Sequence, residues 1–257
     1  FQMKITYFLI TILLSTAIML IVVLPFFRNS YFPMHDDTQP TRIYLMAQAL
    51  QDGQFPVRWV QYLGYGYGYP IFNFYAPLPY YMGSVPILLG FDAVDSAKIL
   101  FGFVTIGAFI TMFFLLKQFV KTFPAIAGAS IYLLFPYHAV NTYVRGALSE
   151  QFEYLLIPLI MLFYFKMFEG KSGSKKWLVI FSISLSFLII SHNLSALMAA
   201  IVLVLFISCL LFLNLRSRML VHKWVVGQIL RITLYVLVNF GTVVGVLEVL
   251  LRDALMD

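Results

Sequence analysis

Residues Ala76–Gly90 read APLPYYMGSVPILLG, and the topology of the whole chain turns on whether this stretch crosses a membrane. It has about fifteen residues, among them three prolines and two glycines, whereas a helix needs about 20 mostly apolar residues to span the hydrocarbon core. The stretch is therefore read as a helix lying in the interface. Charge placement tests that reading. With no crossing here and a cytoplasmic N-terminus, eleven Lys and Arg residues fall on one side and six on the other, while seven acids fall on the side with few bases and only Glu169 on the basic side. An excess of Lys and Arg marks the cytoplasmic face. A crossing would instead put Lys117 and Lys121 outside and Arg145 and Glu150 inside, which runs against the trend.

The rest of the chain fits that frame. Hydrophobic residues make up 61% and charged residues only 11%, with a mean hydropathy of +0.90. A soluble domain carries about 25% charged residues, so this composition belongs to an integral membrane protein. The apolar runs are too long and too uniform for the alternating strands of a barrel. The expected fold class is all-α polytopic transmembrane, with about seven spans over Ile5–Phe27, Ser96–Leu116, Pro124–Val140, Phe152–Phe168, Trp177–Ser191, Leu194–Leu215 and Ile229–Leu251. Residues 3–257 are read as one module. Phe1-Gln2 precede Met3, which reads as the native start. Ile5–Phe27 is too long for the apolar part of a signal peptide, so it is expected to remain as a helix. The net charge of +6 is accounted for by topology and implies no nucleic-acid partner. A single cysteine, Cys209, excludes an internal disulfide.

Between the first two spans lies an expected external loop, residues 28–95. Inside it Ile43, Met46, Ala47 and Leu50 recur at i, i+3, i+4 and i+7, the spacing of one helix face. Pro40 suits the first turn and Gly53 the position past the end, predicting an amphipathic juxtamembrane helix over about 40–52 with its polar face to water. The second such helix is 76–90. The loop is also rich in tyrosine, notably Tyr65, Tyr67 and Tyr69. Interfacial belts explain much of this, and tyrosine faces also stack on sugars.

The charges of the external side are the candidates for chemistry. Asp36 and Asp37 stand together at the first surface crossing. They serve as helix caps, or as a general base or ligands of a divalent metal ion. His35 adjoins them. Arg42 follows on the same predicted helix and Arg58 lies beside Trp59. Arginines outside run against the positive-inside trend; phosphate recognition by the guanidinium fork is one reason for them, and contact with membrane lipid headgroups is the other. Tyr137, His138, Asn141, Tyr143, Arg145, Glu150 and Glu153 form a second cluster, in which Arg145 and Glu150 could pair. His192-Asn193 interrupts two apolar runs, either as a tight turn or as a polar pair lining a cavity. Asn193-Leu194-Ser195 fits a glycosylation pattern but lies too near the bilayer. No phosphate-binding Walker loop, dinucleotide fingerprint or nucleophile elbow is present.

These residues carry a resemblance. An apolar first helix, an acidic residue beside a surface helix and a Pro-Leu-x-Tyr-Tyr interfacial helix resemble the GT-C glycosyltransferase superfamily, which includes protein O-mannosyltransferases, aminoarabinose transferases and oligosaccharyltransferase catalytic subunits. More closely, His35-Asp36, Arg42, Leu50–Trp59 (LQDGQFPVRW), Gly66–Tyr75 (GYGYPIFNFY), and Tyr143–Ala147 (YVRGA) with Glu150 resemble the prokaryotic membrane proteins labelled as related to 6-pyruvoyl-tetrahydropterin synthase. The resemblance covers about Met3 to Leu251, and it implies the N-terminal transmembrane module of longer family members.

It also implies an activity: inverting transfer of a sugar from a polyprenyl-phosphate donor to a glycan, lipid or protein acceptor at the outer face of the cytoplasmic membrane. Asp36 takes the place of the superfamily's catalytic aspartate, as base or metal ligand, with Asp37 the alternative carrier. His35, Arg42, Arg58, His138, Arg145, Glu150 and His192 are the expected substrate-binding set. The rivals are a lipid-linked sugar binding or transport protein and a non-catalytic scaffold of the same fold. Transport needs access from both faces, which short, basic cytoplasmic loops almost free of acids do not offer.

Overall fold

The computed structural model describes residues 2–29, 31, 33–168, 174–201, 204, 205 and 208. Among them every regular element is helical, and the one extended feature is an isolated bridge between Val60 and Tyr69. In chain order the helices are α1 (Gln2–Val23), α2 (Gln39–Gln51), α3 (Ile71–Phe74), α4 (Leu78–Leu88), α5 (Ala93–Leu116), α6 (Thr122–Leu133), α7 (Pro136–Ala139), α8 (Leu148–Phe168) and α9 (Ser174–Ser191). Residues 193–201 are again helical.

Two helices, Ala93–Leu116 and Leu148–Lys166, are long and apolar enough to cross a membrane. A third crossing exists if α6 and the segment Pro136–Arg145, bent by 47° against each other, count as one. Ile12–Phe27 and Lys176–Ser191 are shorter apolar helices. The expected spans at Leu194–Leu215 and Ile229–Leu251 lie, in part and in whole, outside the described residues. At eleven residues α4 reaches only about 16 Å at 1.5 Å per residue, about half the hydrocarbon thickness.

The bend after α6 has a local cause. Pro136 has no N–H to give to a preceding turn, and it holds Phe135 in an extended conformation at φ −59°, ψ 130°. The run 124–140, expected as one span, is therefore broken at this dipeptide. Beyond α7 the chain widens into a π turn over Val140–Arg145 and stops at Gly146.

The chain divides into two compact units. The first, Phe1–Leu162 with Phe187–Ser195, is organised around α5. Asp92 caps that helix, its carboxylate accepting the Asp95 N–H at 2.7 Å, and thereby meets one of the unsatisfied donors of the first turn. Small residues let neighbours come close, as membrane helices require in the absence of a hydrophobic drive between them. Gly107 leaves room for the Leu155 side chain of α8, and Gly83 of α4 for Ile43 of α2. Phe109, Ile126, Ala129 and Leu133 form a buried cluster between α5 and α6, packed by Ile18, Met19 and Val22 of α1. A polar bridge crosses this interior: Gln151 donates to the Thr105 hydroxyl at 2.9 Å and accepts from Thr142 at 2.9 Å.

The predicted helix over 40–52 is α2, Gln39–Gln51, and its stripe faces protein. Ile43, Met46 and Ala47 are buried, packed with α4 and α5. The second unit, Phe163–Ser186 with Ala196–Asp257, contains an aromatic stack of Phe163 on Trp177 with centroids 5.8 Å apart, and Tyr164 beside Phe181.

Candidate functional site

Asp36 is placed by its backbone before its side chain does anything. His35 N–H donates to the Val144 carbonyl at 2.8 Å and Asp36 N–H to the Arg145 carbonyl at 2.9 Å. These two bonds tie the segment after α1 to the π turn, more than a hundred residues later in the chain. The join depends on Gly146, which sits at φ +66°. A Cβ there would be strained by its backbone angle and would lie 2.2 Å from Met34 Sδ and 3.1 Å from the Asp36 carbonyl oxygen. Only glycine lets the two strands of chain meet at this distance.

The Asp36 carboxylate is then enclosed by donors. Thr38 Oγ1 donates to Oδ1 at 2.7 Å, while Gln39 Nε2 at 2.6 Å and Arg42 Nη1 at 3.2 Å donate to Oδ2. Gln39 Nε2 also reaches the Gly146 carbonyl at 3.0 Å, and its Oε1 accepts from the Tyr80 hydroxyl at 3.0 Å. The Arg42 guanidinium lies over the Tyr75 ring, 4.6 Å from its centroid. A carboxylate offers about four lone-pair positions. Three are taken here by protein donors, two on Oδ2 and one on Oδ1. Capping is not its task in this structure: Thr38 occupies the N-cap of α2, without a side-chain cap bond.

The pair is electrostatically firm. Arg42 is held more strongly protonated than a free guanidinium, since burial, which opposes its charge, is outweighed by Tyr80 and Asp36. The Tyr80 hydroxyl is pushed well above the ordinary phenol range by burial. Tyr31 is raised as well, first by burial and then by the negative charges of Asp36 and Asp37.

A second ion pair stands across the same cavity. Arg145, at the end of the π turn, meets both oxygens of Glu150 in the first turn of α8, at 2.9 and 2.7 Å. The Tyr137 hydroxyl donates to Glu150 Oε1 at 2.8 Å and accepts from Arg145 at 2.8 Å, and Asn141 Oδ1 accepts from Arg145 at 2.7 Å. These four oxygens all crowd around Nη1 and share its two hydrogens. His192 stands at the break after α9, its Nδ1 2.7 Å from Glu153 Oε1 and in contact with Ser195 Oγ.

Together these side chains line an open cavity of about 560 Å³. Of the expected catalytic and substrate-binding residues, His35, Asp36, Arg42, Arg145, Glu150 and His192 border it, with Phe74 and Tyr75 from the aromatic loop. Three do not. Asp37 is exposed and, like Arg58, lies outside its walls. His138 is buried elsewhere: its ring stacks on Tyr154 with centroids 3.7 Å apart, meets Tyr132 edge-on, and borders a separate cavity of about 160 Å³. Tyr65 and Tyr67 stand exposed, away from the site. Gln39 and Tyr80 were not legible as site residues. For Gln39 the one available signal is its position three residues after Asp36, at the head of a helix.

A divalent ion does not find a protein-built cage here. No three His, Cys, Asp or Glu side chains converge among the described residues. Arg42 shares Oδ2 of Asp36 and sets a fixed positive charge beside the oxygens such an ion would approach. No step below passes through a metal.

The model of the 6-pyruvoyl-tetrahydropterin synthase related domain, a membrane protein family, matches residues 72–238, well over half of the chain. No curated protein and no solved structure matches it.

Proposed function

The chain belongs to the 6-pyruvoyl-tetrahydropterin synthase related membrane proteins, and from that premise we propose that it is a membrane glycosyltransferase module of the GT-C type. It moves a sugar from a polyprenyl-phosphate donor to an acceptor hydroxyl at the outer face of the cytoplasmic membrane. One observation carries the reading: a single cavity holds a carboxylate, Asp36, together with two guanidiniums, Arg42 and Arg145, and an imidazole, His192. Phosphate needs planar cationic donors, and transfer to a hydroxyl needs a proton acceptor at hydrogen-bond distance.

The reaction follows from these roles. The acceptor hydroxyl donates to Asp36 Oδ1. Its oxygen attacks the anomeric carbon from the side opposite the phosphate, a new C–O bond forms, and the bond from that carbon to the phosphate oxygen breaks. The proton passes to Asp36, and the polyprenyl phosphate leaves with the bonding electrons. Arg145 and His192 stabilise the charge growing on that phosphate. A phosphate monoester leaves as a stable anion at neutral pH, so the site needs no general acid. Configuration at the anomeric carbon inverts in this single displacement.

The test is transfer from a radiolabelled polyprenyl-phosphate sugar in proteoliposomes. Asp36→Asn is expected to lower the rate by about 10²–10⁴, the usual worth of a general base, and Asp37→Asn to change it by less than about threefold, as a solvated surface charge would. Full activity in Asp36→Asn removes the base from the mechanism. Donor binding without transfer by the unaltered protein makes the chain a lipid-linked sugar binding protein instead.

A further inference from the structure

Glu153 and Ser195 take no part in the cavity wall, yet both touch the one histidine of the wall that comes from the break after α9. A carboxylate oxygen only accepts, so the 2.7 Å approach of His192 Nδ1 to Glu153 Oε1 needs its hydrogen on the nitrogen. Ser195 Oγ lies against the same two atoms. A nitrogen whose hydrogen points to Glu153 cannot take the Ser195 proton, so the group is not a nucleophile triad.

What remains is an oriented imidazole. Nδ1 is engaged on the side of Glu153 and Ser195, neither of which borders the cavity, while His192 itself does. Nε2, on the opposite edge of the ring, is the nitrogen turned to the ligand. We infer that Glu153, assisted by Ser195, is a positioning residue that fixes the His192 ring so that Nε2 meets the phosphate of a polyprenyl-phosphate ligand. This deepens the donor-binding role given to His192 above and rests on it. Nε2 can donate to a phosphate oxygen only when the ring is protonated, since Nδ1 already holds the hydrogen of the neutral form. The charged groups that face His192 are Glu153 through Nδ1 and Glu150, which is near enough to interact with it, with Arg145 paired behind Glu150.

Two measurements on the full detergent-solubilised chain test this. The first is the ¹⁵N-histidine spectrum without ligand, with the His192 signals identified by their loss in His192→Gln. The unaltered protein shows the Nδ1–H form of the neutral ring; Glu153→Ala loses it, and Glu153→Gln, whose amide oxygen can still accept, retains it. The second is the affinity for sugar-free polyprenyl phosphate. Glu153→Ala weakens binding about tenfold, the worth of one charge-assisted hydrogen bond. Glu153→Gln keeps most of the affinity. His192→Gln loses at least as much as Glu153→Ala. An unchanged His192 spectrum in Glu153→Ala overturns the positioning whatever the ligand does. Affinity that ignores Glu153→Ala while the spectrum changes overturns the link to phosphate. A spectrum that behaves as expected in a protein that binds no polyprenyl phosphate overturns the donor reading, and with it the role of Nε2.

Discussion

Two arginine–carboxylate pairs face one cavity, and they are built differently. The carboxylates are similarly covered, Asp36 at 25% and Glu150 at 18%, but Arg42 keeps 19% of its exposure and Arg145 keeps 44%. The first is enmeshed in neutral hydrogen bonds from Thr38, Gln39 and Tyr80 that connect α2, α4 and the glycine at the end of the π turn. The second rests on its own neighbourhood, Tyr137 of α7, Asn141 within the π turn and Glu150 at the start of α8. A covered pair is costly to break, because the partner left behind has lost its water. An open pair exchanges partners at small cost. On the proposed function, architecture and reaction fall to the Asp36 side and ligand capture to the Arg145 side.

The largest effect is expected from Arg42→Ala. It leaves Asp36 without its cation in a place where water only partly replaces it, and it removes the guanidinium from the Tyr75 face. The loss of stability should be about 3 kcal/mol, toward the low end of what breaking a buried pair costs, and transfer should fall with it. Denaturation in detergent, followed by circular dichroism, measures the first quantity and the proteoliposome assay the second. Arg42→Lys should recover part of the stability, since an ammonium restores the charge but not the planar stacking on Tyr75. A stable Arg42→Ala protein would mean that the Asp36 side is as loosely made as the other.

Arg145→Ala should behave in the opposite sense. Glu150, the partner left behind, is as covered as Asp36 but keeps the Tyr137 hydroxyl, so the cost in stability should stay below that of Arg42→Ala. Donor affinity should nevertheless fall about tenfold, the worth of one charge-assisted hydrogen bond to phosphate. Isothermal binding of polyprenyl phosphate, set beside the same denaturation experiment, separates the two. If Arg145→Ala destabilises the fold as much as Arg42→Ala, the distinction between the pairs collapses.

How much of this the sequence discloses depends on the cost of each residue in lipid. Asp36, Arg42, Arg145, Glu150 and His192 are conspicuous because charge and imidazole are expensive in an apolar chain, and the structure gathers all five at one cavity. Gln39 and Tyr80 escape notice because a neutral amide and a phenol are unremarkable at an interface, although they link Asp36 to α4. Gly146 reads as one glycine among fifteen, and only the approach of Met34 and Asp36 reveals what it permits. The break of the run 124–140 could have been read at Phe135-Pro136, since proline breaks or kinks a helix; a hydropathy count hides it because both residues are apolar. Cost also misleads. Asp37 is as charged as Asp36 and His138 as titratable as His192, yet one lies outside the cavity walls and the other sits between tyrosines.

His138 supplies the smallest effect and the sharpest control. Its ring is used for its shape: a flat face against Tyr154 and an edge toward Tyr132, in a cavity lined mainly by apolar side chains. Phenylalanine is also a flat aromatic ring, somewhat larger, and can stack on Tyr154. His138→Phe should therefore leave transfer within about twofold and shift stability by about 1–2 kcal/mol, the cost of a modest enlargement in a packed interior. His192→Phe conserves shape equally well but deletes the nitrogen turned to the cavity, so it should lose donor affinity as Arg145→Ala does. The two substitutions make the same chemical change at two histidines. If they lower affinity equally, the boundary drawn around the Asp36 cavity is in the wrong place, and the space beside His138 belongs to the ligand too.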